Sequence, residues 1–191
     1  MNTPSSDRRA LRKQLIAARE ALSGADRALR EAALGDHLRS LLERLEPRII
    51  GFCWPFRGEP DLVGMLQQWR DAQPGRQLAL PVVPAEPGPL AFHRWQAGDG
   101  MSADRYGIPT PEGTPRLAPD VLLVPVNGFD ARGFRIGYGG GYFDRTLAQA
   151  SKPASVGIGF ELARLDDTQP QAHDLPLDWI VTEAGIVVGN R

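Results

Sequence analysis

The run Val121-Leu122-Leu123-Val124-Pro125-Val126 carries no polar side chain. A short apolar run bounded by turn residues fits a strand buried on both faces, as inside an α/β sheet. A polar turn follows, then glycines at 137, 139, 140 and 141. Tyr142-Phe143-Asp144-Arg145-Thr146-Leu147-Ala148 then reads as the start of a helix over about 142–150. Strand, glycine loop and helix N-terminus in that order make an anion site. Glycines let backbone N–H groups approach phosphate oxygens, and the helix end adds partial positive charge. Arg132, Arg135 and Arg145 supply fixed charge nearby, and Asp144 is a candidate Mg²⁺ ligand. Neither common phosphate motif is present: position 142 is Tyr, so no G-x-G-x-x-G is completed, and no Gly-Lys-Ser/Thr follows. A tight turn needing positive φ angles would use the same glycines.

A chain of 191 residues fills one core, so a single domain is expected over 1–191, with 1–6 disordered. The 22 basic and 23 acidic residues give a net charge of -1, which gives no reason to expect nucleic acid or a membrane as partner. Cys53 is the only cysteine, which excludes an intramolecular disulfide and a cysteine-built metal site. The N-terminus lacks the apolar core of a signal peptide, and no run is long enough to span a bilayer. A soluble, cytoplasmic monomer is expected.

Residues 7–22 read as an amphipathic helix, with Leu11, Leu15, Ala18 and Leu22 at helical spacing. Arg8, Arg9, Arg12, Lys13 and Arg19 fall on its other faces, where most serve as a solvated surface. Ser23 caps a second helix, whose stripe of Leu34, Leu38, Leu41, Leu42 and Leu45 ends near Pro47; His37 reads as a surface residue. Ile49 to Trp54 is a strand candidate, and its end leads into the loop 55–61, where ligand loops of α/β sheets sit. Asp61 caps a helix over 62–70. Residues 77–81 form a strand, and 90–95 alternate like an antiparallel one. Phe92 and Trp95 suit either a ligand wall or the core, and His93 reads as structural. The segment 98–119 is rich in Gly and Pro and lacks periodicity, so it reads as a long loop of the kind that is often functional. Residues 155–160 form another buried strand. Asp178 reads as a capping or turn residue and His173 as structural or orienting. The order predicts an α/β fold with a largely parallel sheet flanked by helices and an N-terminal helical cover.

The stretch Gly133-Phe134-Arg135-Ile136-Gly137-Tyr138-Gly139-Gly140-Gly141-Tyr142-Phe143-Asp144-Arg145 closely resembles the signature of 5-formyltetrahydrofolate cyclo-ligases (methenyltetrahydrofolate synthetases). The likeness runs from about Arg8 to Glu183. It is strongest at 130–145 and in the His173-Asp174-Leu175-Pro176-Leu177-Asp178 segment. It implies a fold related to ribose-5-phosphate isomerase and coenzyme A transferase domains. It also implies ATP-dependent closure of 5-formyltetrahydrofolate to 5,10-methenyltetrahydrofolate, with ATP as co-substrate, Mg²⁺, and a reduced folate as the small-molecule partner. By resemblance, ATP falls to Arg8, Arg12, Arg135, Gly137, Tyr138, Gly139, Gly140, Gly141, Tyr142 and Phe143. Folate falls to Trp54, Glu59, Tyr138, the glycines 139–141 and Tyr142, and Mg²⁺ to Asp144 and Asp174. Arg135, Tyr142 and Asp144 would be catalytic. Arg8 stands where the family has Lys, Thr110 replaces an acid, and no Gln occupies 161–164. These departures leave open a paralogue acting on another formylated metabolite, or a module that binds nucleotide or folate without turnover.

Overall fold

Side chains of the apolar run alternate between two packing layers: Val121 and Leu123 face one, Leu122 and Val124 the other. The structure, a computed structural model, describes residues 4–189, with side chains from Arg8 onward. The run becomes β7 (Val121–Pro125), the middle of a sheet built on β1 (Ile49–Gly51), β2 (Gln77–Val82), β10 (Ala154–Ile158) and β11 (Trp179–Thr182). These lie in the order β2-β1-β7-β10-β11 and are all parallel. Antiparallel strands β3 (Ala91–Trp95) and β6 (Arg116–Leu117) extend the β2 side, and β12 (Gly185–Val188) extends the β11 side. The chain winds outward in both directions from the β1–β7 pair. Connections after these two strands therefore part, and a crevice opens at their carboxyl ends, the usual ligand position in open α/β sheets.

Helices α2 (Gly24–Leu45) and α3 (Val63–Asp71) cover one face, setting Leu34, Leu38, Leu41, Leu66 and Trp69 against Ile50 and Leu78. On the other face Phe129, Leu147 and Leu177 pack on Leu122, Val124 and Ile180. Each fully buried side chain of this size stabilises the fold by about 1.5–3 kcal/mol. Helix α1 (Pro4–Glu20) covers the carboxyl ends of the strands, resting on the 3₁₀ turn Glu161–Ala163, with Ile16 buried and Leu15 against Gly128. Residues 1–3 of the stretch expected to be disordered lie outside the described residues.

Several small roles match the sequence. Ser23 Oγ accepts the Asp26 N–H, Asp61 Oδ1 accepts the Val63 N–H, and Asp178 Oδ2 accepts both N–H and Oγ–H of Ser155. Phe92 and Trp95 are buried core residues, and Trp95 meets Phe52 and Trp54 edge-on. Other expectations need correction. Segment 98–119 contains a hairpin, β4 (Met101–Ala103) with β5 (Pro109–Pro111), besides the edge strand β6. Its tip is an Asx turn, in which Asp104 Oδ1 accepts the N–H groups of Tyr106 and Ile108. Strands this short leave no alternation to detect. Helix α4 (Tyr142–Leu147) is six residues long rather than nine. His37 is half-buried, its Nδ1 3.0 Å from the Thr182 carbonyl oxygen.

Candidate active site

The loop after β7 is shaped by a hairpin, β8 (Gly128–Phe129) with β9 (Arg135–Ile136), and then by the glycines. Asp130 is fully buried at its turn. Its Oδ1 accepts the Arg132 and Phe134 N–H groups, and its Oδ2 accepts from Thr168 N–H and Oγ–H and from Arg132. Burial alone would raise this carboxyl, but the hydrogen bonds from Arg132 and Thr168 outweigh it and hold the group below the usual carboxylate range. Arg132 is thus committed to Asp130 and Asp167 at the far end of the hairpin and brings no charge to the glycine loop. Gly139 and Gly141 have positive φ, 97° and 64°. Gly137 does not, and a Cβ built there meets no atom within 4 Å. One of these glycines serves open space, then, and two serve backbone geometry.

Around this loop the fold gathers charges from distant parts of the chain. Arg12 Nε donates to the Gly137 carbonyl at 2.6 Å. Arg8 donates to Asp174 Oδ2 at 2.9 Å and to the Arg135 carbonyl at 3.4 Å. Arg135, buried, donates to Asp144 Oδ1 at 2.8 Å and to the Leu175 carbonyl at 2.9 Å. Burial, together with neighbouring Arg8 and Arg9, holds the Arg12 guanidinium below its ordinary value. Crowded like charges of this kind mark a place that an anion would relieve. Arg145 donates to the Gly140 carbonyl and lies over the Tyr142 ring. The Tyr142 hydroxyl is 3.3 Å from that of Tyr106 at the β4–β5 tip. Phe143 packs on the core, so its side chain supports the loop. Because α4 is so short, the positive charge here comes mainly from arginines and loop N–H groups.

Asp144 and Asp174 each turn one oxygen to an arginine. Asp144 Oδ2 takes no hydrogen bond from a described residue, and no group of three or more His, Cys, Asp or Glu side chains comes together among the described residues to hold a metal. Two carboxylates without a closed cage are the donor set that suits Mg²⁺ bound chiefly through phosphates. His173 is exposed, 3.8 Å from Asp174.

Beside this cluster lies a second one. Glu59, on the loop after β1, is buried; its Oε1 accepts the Tyr138 hydroxyl proton at 2.7 Å and its Oε2 accepts the Phe56 N–H at 3.1 Å. Burial raises the Glu59 carboxyl above its usual range, against the lowering effect of Tyr138, Arg19 and Phe56. Burial and the neighbouring Glu59 also push the Tyr138 hydroxyl up. A shallow, open depression adjoins Glu59, walled by Phe52, Cys53, Pro55, Leu123 and Pro125. Burial, and then Glu59, push the Cys53 thiol up, which disfavours the thiolate a nucleophile would need. Trp54 is half-buried against Trp95. Thr110 is buried within the β4–β5 hairpin, where its hydroxyl donates to the Ser102 carbonyl at 3.4 Å.

Sequence reasoning missed two residues here. Arg19 was placed on a solvated face, but it is buried and reaches Glu59, Tyr138 and Asn127. Its place one helical stripe along from Arg8 and Arg12 was the available signal. Asn127, also buried, interrupts the apolar stretch that follows β7.

Comparison with known proteins finds relatives over nearly the whole chain. The 5-formyltetrahydrofolate cyclo-ligase family model matches residues 4–183. A Haemophilus influenzae protein named 5-formyltetrahydrofolate cyclo-ligase is 27% identical over 186 residues, covering 93% of this chain and 97% of its own. Its namesake from Escherichia coli K12 is 31% identical over 140 residues, 69% of this chain and 75% of its own. The NMR structure of Aquifex aeolicus 5,10-methenyltetrahydrofolate synthetase superposes with a TM-score of 0.80 at 26% identity, covering 95% of this chain and 92% of that one. With a match over nearly its whole length and a fold shared with a solved member, the chain belongs to the 5-formyltetrahydrofolate cyclo-ligase family.

Proposed function

We propose that the protein uses ATP to close 5-formyltetrahydrofolate to 5,10-methenyltetrahydrofolate, releasing ADP and phosphate. The observation that carries this reading is the adjacency of the two clusters. Arg8, Arg12 and Arg135 surround an open glycine loop, and Tyr138 of that loop is bonded to Glu59 beside the depression. The chemical difficulty is that an amide-type oxygen leaves poorly. Transfer of the γ-phosphoryl group forms an O–P bond to the formyl oxygen and breaks the bond to ADP. Folate N10 then attacks the formyl carbon and gives up its proton to solvent, and the C–O bond breaks as phosphate leaves. No protein nucleophile is required, in keeping with a protonated Cys53.

The chain's task is positioning and charge neutralisation. Arg8, Arg12 and Arg135 with the loop N–H groups hold the phosphates, and Glu59, Tyr138 and Trp54 orient the folate. Tyr142 packs on the ligands at the loop's end. Asp144 and Asp174 would hold Mg²⁺, which when bound neutralises phosphate oxygens. The test is the appearance of the methenyl-folate chromophore from 5-formyltetrahydrofolate with and without Mg-ATP. ATP-dependent product with one ADP per turnover is expected. Folded protein that binds ATP but makes no product would overturn the reading in favour of another formylated acceptor or a binding module.

Gly137 gives a second expected result. Its backbone suits alanine and the space beside it is open, so Gly137→Ala should leave the thermal midpoint unchanged or raise stability by about 0.4–1 kcal/mol. The same methyl group would occupy space reserved for phosphate and raise the KM for ATP about tenfold, a loss of roughly 1.4 kcal/mol. An unchanged KM would remove Gly137 from the nucleotide site. The Tyr106–Tyr142 contact also makes the β4–β5 tip a candidate lid. Protease cleavage at 104–107 should slow when ATP and folate are both present; equal cleavage would count against closure.

A further inference from the structure

We infer that Arg19 is a positioning residue that, with Asn127, sets Glu59 and Tyr138 for the folate; this rests on Glu59 being the folate contact proposed above. The side chain is buried and every nitrogen of its guanidinium donates. Nε reaches the Arg57 carbonyl at 2.9 Å, and Nη1 reaches Asn127 Oδ1 at 2.7 Å. Nη2 reaches the Tyr138 hydroxyl oxygen at 2.6 Å, the Phe56 carbonyl at 3.4 Å and Glu59 Oε1 at 3.5 Å. One side chain of α1 therefore ties together the loop after β1, the segment after β7 and the glycine loop.

The direction of the bonds follows from the groups. A guanidinium cannot accept, so the Tyr138 oxygen must accept from Arg19, and its single proton is left for Glu59. Arg19 thereby orients the Tyr138 hydroxyl as well as balancing the Glu59 charge. Asn127 is held the same way: its oxygen must face Arg19, and its buried amide Nδ2 has no hydrogen-bond partner among the described residues. An apolar residue at 127 would avoid that unsatisfied donor. Its presence is explained by the acceptor it offers Arg19, at the expense of stability.

The test is a double-mutant cycle of Arg19→Lys and Glu59→Gln, reading kcat and the KM of each substrate in folded protein. Lysine keeps the charge but cannot span the five acceptors. Arg19→Lys should raise the KM for 5-formyltetrahydrofolate about tenfold, the scale of a charged hydrogen bond, with the KM for ATP nearly unchanged. Added to Glu59→Gln it should do little more, because it acts through Glu59. Multiplying effects, an equal rise in both KM values, or no rise at all would overturn the inference. An unchanged folate KM in Glu59→Gln would remove the reading of Glu59 and the inference with it. A raised one with multiplying effects overturns only the role of Arg19. Should Arg19→Lys fail to fold, Asn127→Ala decides. It removes the Nδ2 donor but also leaves Arg19 Nη1 without its acceptor, a cost of about 1–3 kcal/mol, so the folate KM should rise in a variant that still folds, and an unchanged KM refutes the proposal.

Discussion

Replacing Asp144 by asparagine should lower kcat about a thousandfold, the scale of losing one electrostatic group aimed at developing charge. Asparagine has nearly the same shape. Its carbonyl oxygen can still accept from Arg135, now bonded at 2.8 Å, and from the Leu175 N–H at 3.3 Å. The loop should therefore keep its conformation, and what disappears is one negative charge. That loss has two consequences. Arg135, whose side chain is only 5% exposed, loses its ion-pair partner, which should cost about 1–3 kcal/mol of stability. The proposed Mg²⁺ pair is reduced to Asp174 alone, itself engaged by Arg8. Turnover should need much more Mg²⁺ in the variant, and chelation should stop the unmodified enzyme until Mg²⁺ is restored. The measurement is the rate of methenyl-folate formation across a Mg²⁺ titration, with circular dichroism confirming the fold. Full activity at ordinary Mg²⁺ would mean that Asp144 serves only to hold Arg135.

Why some residues of this site can be read from sequence and others cannot is a matter of which surfaces cover them. The run at 121–126 is legible because burial on both faces leaves no polar residue in it. The signature at 133–145 is legible because its side chains and glycines lie close together in the chain. Arg8, Arg12 and Asp174 come from opposite ends, and only the resemblance joined them; the folded chain brings Arg8 to 2.9 Å from Asp174. Arg19 was opaque for a different reason. A basic residue on an amphipathic helix is normally solvated, and the stripe it shares with Arg8 and Arg12 does not by itself tell that the loops after β1 and β7 close over it. The β4–β5 hairpin escaped notice because strands of three residues show no alternation, although Thr110 and Pro111 are buried, and its tip is set by a single Asx turn. The glycines are the most instructive case, since glycine in sequence looks the same whether backbone geometry, packing or a ligand requires it.

Gly133→Ala should separate the first two of these reasons from the third, by destabilising the protein at least about 3 kcal/mol through strained φ and overpacking together. Gly133 has φ of 90°, closing the turn in which its N–H donates to the Asp130 carbonyl at 3.1 Å. A Cβ there would lie 2.6 Å from the Leu177 carbonyl oxygen and 3.1 Å from the Gly189 Cα. Both are backbone atoms, and neither can swing aside as a side chain would. Leu177 is tied to this position, its N–H donating to the Gly133 carbonyl at 2.9 Å, and Gly189 is bonded to Asp178 at 2.8 Å. Relief must therefore come from shifting segment 175–178. That segment supplies the Leu175 carbonyl that accepts from Arg135 and follows directly on Asp174. The thermal midpoint should fall by roughly 6–12 °C for a chain of this size. Activity should be reduced even at temperatures where the variant stays folded, because Arg135 and Asp174 would no longer hold their relative places. Gly137→Ala offers the contrast: it keeps the fold and weakens only ATP. If Gly133→Ala instead melts with the unmodified protein, segment 175–178 can retreat freely, and the placement of Asp174 must depend on Arg8 and the backbone of Gln171.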